Sequence, residues 1–186
     1  MAEPSGAQWV PRFAGSTSTS DLLTDFRDVV RAFISQIQDG GATVAIGATY
    51  RPPERAYLMH WCWLIAREHH DPAMVPGMPG VNIAWLHRTA TGVPDIAASR
   101  NAAAAMVAGY AIDYEPSLTS RHTQRRAIDM TIAWHGTLPI IDFNGQSHRI
   151  TSSPRNGLNT DLVAVGATFG VIKLLSDPPH WSDDGR

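Results

Sequence analysis

The sequence has one cysteine and few charged residues, and both shortages narrow the classes of protein to consider. A single cysteine, Cys62, excludes an intrachain disulfide and a zinc site of four thiolates, so any metal must be held by histidine and carboxylate groups. Charged residues make up 17% of the chain and hydrophobic residues 44%, a composition that excludes intrinsic disorder.

The net charge is close to zero, and no hydrophobic run is long. A formal charge of -2 provides no positive field for a nucleic acid or an anionic membrane surface, so neither is expected as a partner. The longest apolar stretches, such as residues 102–108, fall far short of the roughly 20 residues that span a bilayer. Residues 1–20 lack the features of a signal peptide, so we expect synthesis in the cytoplasm.

The length of 186 residues suits one domain preceded by a short arm. Residues 1–20, rich in serine, threonine, glycine and proline, are the predicted arm, and residues 21–186 the predicted single domain. A chain of this size buries enough surface to fold alone, and we expect a monomer.

Hydrophobic periodicity predicts helices interspersed with short strands, and the fold class is α+β. Four stretches have helical periodicity or strong helix propensity: residues 22–37, 54–70, 97–111 and 158–169. Three shorter stretches have the pattern of strands: residues 42–49, 127–134 and 138–143. The last two are expected to pair as a hairpin. Residues 81–86 fit a strand or a helical turn, and the polar tail 182–186 is expected to fray.

One segment combines groups that can bind a metal. His122 is predicted to lie in a turn, and Asp129 follows early on a predicted strand. Such nitrogen and oxygen donors suit zinc, whose catalytic sites use three protein ligands and leave a fourth position for water. His180 is a candidate third ligand, with Asp177 three residues before it. The spacing fits a second interpretation equally well, in which no metal binds: His122 caps a turn and Asp177 ends a helix-like segment.

Three motifs follow one another along the chain: Tyr50-Arg51, Ser120-x-His122 through Ala127-x-Asp129, and Asp177-x-x-His180-Trp181. Together they resemble the zinc D-alanyl-D-alanine carboxypeptidase and L-alanyl-D-glutamate endopeptidase family, which includes many phage endolysins and shares the hedgehog/DD-peptidase fold. The resemblance covers roughly residues 42–181 and implies a small antiparallel sheet flanked by helices. Arg125 stands where the family has glycine, which matters if the backbone there needs a positive φ. Many relatives have glutamate in place of Asp177.

The resemblance implies a role for each matching residue. The implied zinc ligands are His122, Asp129 and His180. Asp177 is the implied catalytic acid and base, which activates a zinc-bound water. Arg51 is implied to be catalytic and substrate-binding, paired with the substrate carbonyl or the developing oxyanion, and Ser120 lines the substrate site.

The function implied is hydrolysis of the stem peptide of bacterial peptidoglycan, either as a D,D-carboxypeptidase or as an L-alanyl-D-glutamate endopeptidase. Without a signal peptide, such an enzyme is expected to reach the cell wall after release or injection. Two other functions fit the sequence: a non-hydrolytic module that binds cell-wall peptide, and a structural component of a phage particle or secretion apparatus. Asp177 argues against the binding module, since a binder needs no base beside a metal.

Overall fold

The fold mixes helices with short sheets. The computed structural model describes residues 2–186, and Met1, the first residue of the predicted arm, lies outside them. Within the described residues there are four α-helices: α1 (Thr24–Asp39), α2 (Pro53–Arg67), α3 (Ile96–Tyr110) and α4 (Thr160–Thr168). The same residues contain eight strands: β1 (Glu3–Pro4), β2 (Thr43–Ala48), β3 (Ile83–Ala84), β4 (Ala127–Ala133), β5 (Leu138–Ile141), β6 (Ser147–Ile150), β7 (Ile172–Lys173) and β8 (His180–Ser182). The predicted α+β class is confirmed.

The chain divides into two compact units that are interleaved in sequence. One comprises residues 2–14 and Pro52–Thr119, and we call it the inserted unit. The other comprises Gly15–Arg51 and Ser120–Arg186, and we call it the site unit because it contains every residue predicted for metal binding or catalysis. Across residues 2–186, none of the helices has the length and apolarity needed to cross a membrane.

A four-stranded sheet with the order β2-β4-β8-β7 forms the site unit's largest sheet. Every neighbouring pair in it is antiparallel. An irregularity in β2 between Ile46 and Ala48 places Ala48 opposite Asp129 of β4. On the other side of β4, Asp129 lies opposite His180, the first residue of β8. The register of the sheet therefore sets two of the predicted metal ligands side by side.

Strands β4 and β5 do not pair, so the predicted hairpin of residues 127–134 and 138–143 is wrong. A strand has only two hydrogen-bonding edges, and both edges of β4 are occupied by β2 and β8. Strand β5 instead pairs with β6 in a separate antiparallel sheet, with Leu138 opposite Ile150.

Helix α1 supplies much of the site unit's hydrophobic core. Its buried residues recur at steps of three and four along one face: Phe26, Val30, Phe33 and Ile37. The centroid of the Phe33 ring lies 5.5 Å from those of Phe169 and Trp181. Trp181 is fully buried and directly follows His180, so this aromatic core supports the strand that carries a predicted metal ligand.

Gly166 of α4 is expected to resist substitution by alanine. An added Cβ would lie 2.8 Å from a ring carbon of Trp181 and 3.0 Å from the main-chain oxygen of Val171. Alanine favours a helix over glycine by about 1 kcal/mol, but overpacking a core costs about 1–3 kcal/mol. We expect Gly166→Ala to lower the free energy of unfolding, measured by urea denaturation. A variant more stable than the wild type would contradict this packing.

The inserted unit is built on the pairing of helices α2 and α3. Their buried side chains, among them Leu58, Cys62 and Met106, form its core. Burial raises the pKa of the Cys62 thiol to about 12, so it stays protonated and unreactive at neutral pH. Residues 83–84 form a strand, β3, which pairs in parallel with β1 of the predicted arm.

The C-terminal residues are held in place, contrary to the prediction that residues 182–186 fray. Ser182 belongs to β8, and its Oγ accepts hydrogen bonds from the main-chain N–H groups of Gly185 at 2.8 Å and Arg186 at 3.0 Å. Polar composition alone predicts fraying, but this serine satisfies main-chain groups that would otherwise point into water.

Candidate metal centre

Three side chains of the site unit converge on one point. The Nε2 atom of His122, the Oδ1 atom of Asp129 and the Nδ1 atom of His180 each lie 3.1 Å from the other two. His122 is 3% exposed and His180 is 6% exposed, so both imidazoles are withdrawn from water. Together these residues form a buried cluster that could hold a metal ion.

A tight turn presents His122 to the cluster. The main-chain oxygen of Ser120 accepts hydrogen bonds from the N–H and the Oγ1 hydroxyl of Thr123, which close the turn. The carbonyl of His122 accepts hydrogen bonds from the main-chain N–H groups of Arg51 at 3.3 Å and Arg125 at 3.2 Å. The backbone of His122 is thereby fixed to the segment that follows β2 and to the segment that leads into β4.

The outer nitrogen of each imidazole faces a main-chain oxygen. His122 Nδ1 lies 3.1 Å from the oxygen of Thr49, and His180 Nε2 lies 3.1 Å from the oxygen of Arg186. Carbonyl oxygens only accept hydrogen bonds, so the outer nitrogens carry protons. In a neutral imidazole the inner nitrogen then has a free lone pair. Such outer partners orient histidine ligands in metal sites.

The spacing of the three inner atoms fits a small tetrahedral cation. Ligands at about 2.0–2.1 Å from a tetrahedral zinc ion lie about 3.3–3.4 Å apart, close to the 3.1 Å found here. Two lone pairs and a carboxylate oxygen packed this closely repel one another unless positive charge lies among them. Among residues 2–186, no fourth histidine, cysteine or carboxylate joins the cluster.

Asp129 provides the negative charge of the cluster. Burial raises the pKa of its carboxyl group, but hydrogen bonds with His122 and His180, together with the positive charge these imidazoles have when protonated, outweigh burial and hold that pKa well below its usual range. The carboxylate is therefore ionised at neutral pH and attracts positive charge, which protons on the imidazoles or one metal ion can supply.

A network of ion pairs joins the His122 turn to the end of β8. Arg121 contacts Asp183 at 3.0 Å and Asp184 at 2.6 Å, and Arg126 contacts Asp183 at 3.1 Å and Asp25 of α1 at 2.8 Å. Arg121 holds the pKa of Asp184 below its usual range. These pairs flank His122 and follow His180, so they tie together the two segments that carry the imidazoles.

The other predicted site residues also lie in the site unit. Arg51 follows β2 and is bonded through its main chain to His122. The Ser120 hydroxyl accepts a hydrogen bond of 3.4 Å from the N–H of Thr123, a local contact within the turn. Asp177 is exposed in the turn between β7 and β8, and its carbonyl accepts the N–H of His180 at 3.0 Å. The geometry thus unites the three metal-ligand candidates, whereas the roles of the other three stay predictions.

Arg125 has the left-handed backbone that a glycine would favour, with φ of 60°. The position at which the resembled family has glycine therefore has a positive φ in this chain. Its guanidinium carbon lies 4.5 Å from the centroid of the Tyr50 ring, a cation–π contact worth about 0.5–1 kcal/mol at an exposed site. This contact offsets part of the roughly 1–2 kcal/mol that the left-handed conformation costs.

Two substitutions of Arg125 should separate the strain from the contact. Arg125→Gly and Arg125→Ala both remove the guanidinium, but only alanine keeps the strained backbone. We expect the glycine variant to be more stable than the alanine variant by about 1 kcal/mol in urea unfolding. Equal stabilities, or a more stable alanine variant, would show that the left-handed backbone carries no strain.

No model of a known protein family matches the chain, and a search of curated proteins finds no significant match. A functional assignment therefore depends on the geometry of the cluster and on the short motifs around it.

Sequence reasoning missed the two main-chain oxygens that orient the imidazoles, those of Thr49 and Arg186. Main-chain atoms have no side-chain signature, and no signal in the sequence identifies them. Arg186 in particular belongs to the tail that was predicted to fray.

Proposed function

We propose that this chain is a zinc metallopeptidase that hydrolyses the stem peptide of bacterial peptidoglycan, of the D,D-carboxypeptidase or L-alanyl-D-glutamate endopeptidase type. The observation that carries the proposal is the triangle of donor atoms from His122, Asp129 and His180, with edges of 3.1 Å. These positions coincide with the implied ligands of the family that the motifs resemble. The hedgehog/DD-peptidase fold is part of the proposal and is supported by the antiparallel strands β4 and β8.

The donor set favours zinc over other common cations. Calcium and magnesium prefer oxygen ligands throughout, whereas two imidazoles and a carboxylate suit zinc. Three protein ligands leave one tetrahedral position open, the arrangement of catalytic rather than structural zinc sites. When bound, zinc supplies a water of lowered pKa, roughly 7, and polarises a carbonyl group.

Asp177 is proposed to move the proton in the reaction. It lies in the turn directly before His180, and its side chain is exposed and available to substrate. Its carboxylate would accept a proton from the attacking water and donate that proton to the nitrogen of the leaving amine. The proton that Asp177 accepts from water is the one that it donates to the leaving amine, so Asp177 ends the reaction as the carboxylate with which it began.

Arg51 is proposed to bind the scissile carbonyl. The guanidinium of arginine presents several N–H donors to an oxygen that becomes negatively charged, and one such donor typically contributes about 3–4 kcal/mol to catalysis. The main-chain bond from Arg51 to His122 keeps the start of this side chain beside the metal cluster. Ser120, two residues before His122, is proposed to line the same substrate site.

Digestion of purified peptidoglycan, with and without a zinc chelator, tests the proposal. We expect released fragments with new amine termini that disappear in the chelator and return when zinc is added. Mass spectrometry of the fragments identifies the bond that is cut. No cleavage of several wall types by folded, zinc-loaded protein would overturn the peptidase function. Retention on peptidoglycan in a pull-down would then favour a module that binds cell-wall peptide.

A further inference from the structure

Lys173 is the only lysine in the sequence, which has 14 arginines. It belongs to β7 and is only 5% exposed. Burial lowers the pKa of its ammonium, whereas the charges of Asp177 and Asp129 raise it. A buried charge is tolerated only where hydrogen bonds replace the lost water.

The ammonium group of Lys173 is bonded to three main-chain oxygens. Its Nζ atom donates to the carbonyls of Leu174 at 2.8 Å, Asp177 at 2.6 Å and His180 at 2.9 Å. An ammonium has three N–H donors, so each donor has one carbonyl. The carbonyls of Leu174 and Asp177 belong to the turn between β7 and β8, and that of His180 belongs to the first residue of β8. The centroid of the Trp181 ring lies 5.5 Å from the same nitrogen.

Arginine cannot make this arrangement. A guanidinium is planar and directs its N–H groups outwards within one plane, whereas an ammonium is compact and directs three donors from a single atom. Three carbonyls that surround one point therefore require lysine. In a chain that otherwise uses arginine for its permanent cations, the lysine stands where a single donor atom must bond three oxygens.

We propose that Lys173 is a positioning residue for the metal centre: its ammonium fixes the turn between β7 and β8, and so holds the His180 imidazole against Asp129. This turn also carries Asp177, whose main-chain oxygen accepts hydrogen bonds from both Lys173 and the N–H of His180. The inference deepens the proposed function and rests on it for the metal, but it concerns metal affinity before any catalysis.

The test compares the zinc affinity of Lys173→Met with that of the wild type, by competition with a coloured chelator. Methionine keeps much of the length of the side chain and removes all three donors. Substitution of a residue that orients a metal ligand typically lowers metal affinity by about 10–100-fold, and we expect Lys173→Met to lower zinc affinity by a factor in that range. An unchanged zinc affinity in the folded variant would overturn the inference.

Asn159→Ala is the matched control. Asn159 is also fully buried in the site unit, and its Nδ2 atom also makes three hydrogen bonds to a loop, to Ser152 O, Ser152 Oγ and Pro154 O. None of these bonds involves the metal turn. Substitution of Asn159 should lower the free energy of unfolding without changing zinc affinity. If both variants instead lose zinc affinity equally, the effect of Lys173→Met is general destabilisation, and the inference is overturned.

A second measurement needs no variant. Because the chain has one lysine, labelling with ¹⁵N-lysine gives a single side-chain ammonium signal in NMR. We expect its protons to exchange slowly with water and its signal to shift when zinc is titrated in. Fast exchange, or no response in a protein shown to bind zinc, would overturn the positioning role and leave the peptidase proposal intact. A wild type that binds no zinc would instead overturn the metal centre itself.

Discussion

Replacing Asp177 with asparagine is expected to lower kcat for hydrolysis of the stem peptide by about 10²–10⁴-fold, the usual contribution of a positioned acid or base. Asparagine has nearly the same shape but cannot accept a proton at neutral pH. The side chain is exposed, and the hydrogen bonds of Asp177 to Lys173 and His180 use its main-chain oxygen, so the turn should survive the change. Zinc affinity should therefore be unchanged. Single-turnover kinetics with a peptidoglycan fragment and a zinc titration measure the two effects separately.

Two matched variants complete this experiment. Asp28→Asn removes another exposed carboxylate, from α1 and outside the proposed site, and should leave the rate at the wild-type value. Asp177→Glu keeps the carboxylate, and because many relatives of the resembled family have glutamate there, measurable activity is expected. A wild-type rate in Asp177→Asn would assign the proton transfer to another group.

Replacing His122 with alanine should abolish zinc binding at micromolar concentrations and hydrolysis with it. The change removes one of three ligands, so the loss of affinity should exceed the roughly 10–100-fold typical of an outer partner. The free energy of unfolding, measured with and without zinc, detects the same loss of zinc binding without any substrate. Free zinc at one hundred times its Kd should stabilise the wild type by about 2.7 kcal/mol and the variant not at all.

His148→Ala is the matched control for the ligand variant. His148 also contacts an aspartate, Asp142, with its Nε2 atom 3.0 Å from Oδ2, but no second imidazole within residues 2–186 meets that pair. Zinc should therefore bind and stabilise this variant as it does the wild type. If His122→Ala retains wild-type zinc affinity, the triangle of donor atoms is not the zinc site.

Local pattern in the sequence predicted the helices and, as one of two alternatives, the approach of His122 to Asp129. The apolar stripe of residues 22–37 predicts α1, although the helix begins at Thr24, after a separate 3₁₀ turn at Thr19–Asp21 whose capping residue is Ser18. The spacing of His122 and Asp129 predicts that a turn and a strand bring them together. These features depend on interactions between residues close in sequence, which is why composition and period reveal them.

The remaining features depend on contacts between distant segments. The β4–β5 hairpin was a reasonable prediction from two adjacent runs, but β4 takes partners from much earlier and much later in the chain. The position of His180 follows from the register of β8 on β4, which the sequence did not predict. Motif resemblance indicated His180 as a metal ligand, but neither resemblance nor periodicity indicated that strand pairing. The bonds of Lys173 to three carbonyls were not predicted at all, because a lone lysine in an apolar run shows no target for its donors.

The interleaving of the two units bears on how the chain can tolerate changes in length. At the candidate metal centre, the His122 imidazole is hydrogen-bonded to the carbonyl of Thr49, 73 positions earlier, and the segment between these two residues contains most of the inserted unit. The entropic cost of closing a loop grows only with the logarithm of its length, so doubling the length of a flexible loop costs only about 0.6 kcal/mol. Insertions and deletions confined to exposed loops of residues 52–119 should therefore change the metal affinity little, whereas one residue added between His122 and Asp129 would shift the register that brings them together.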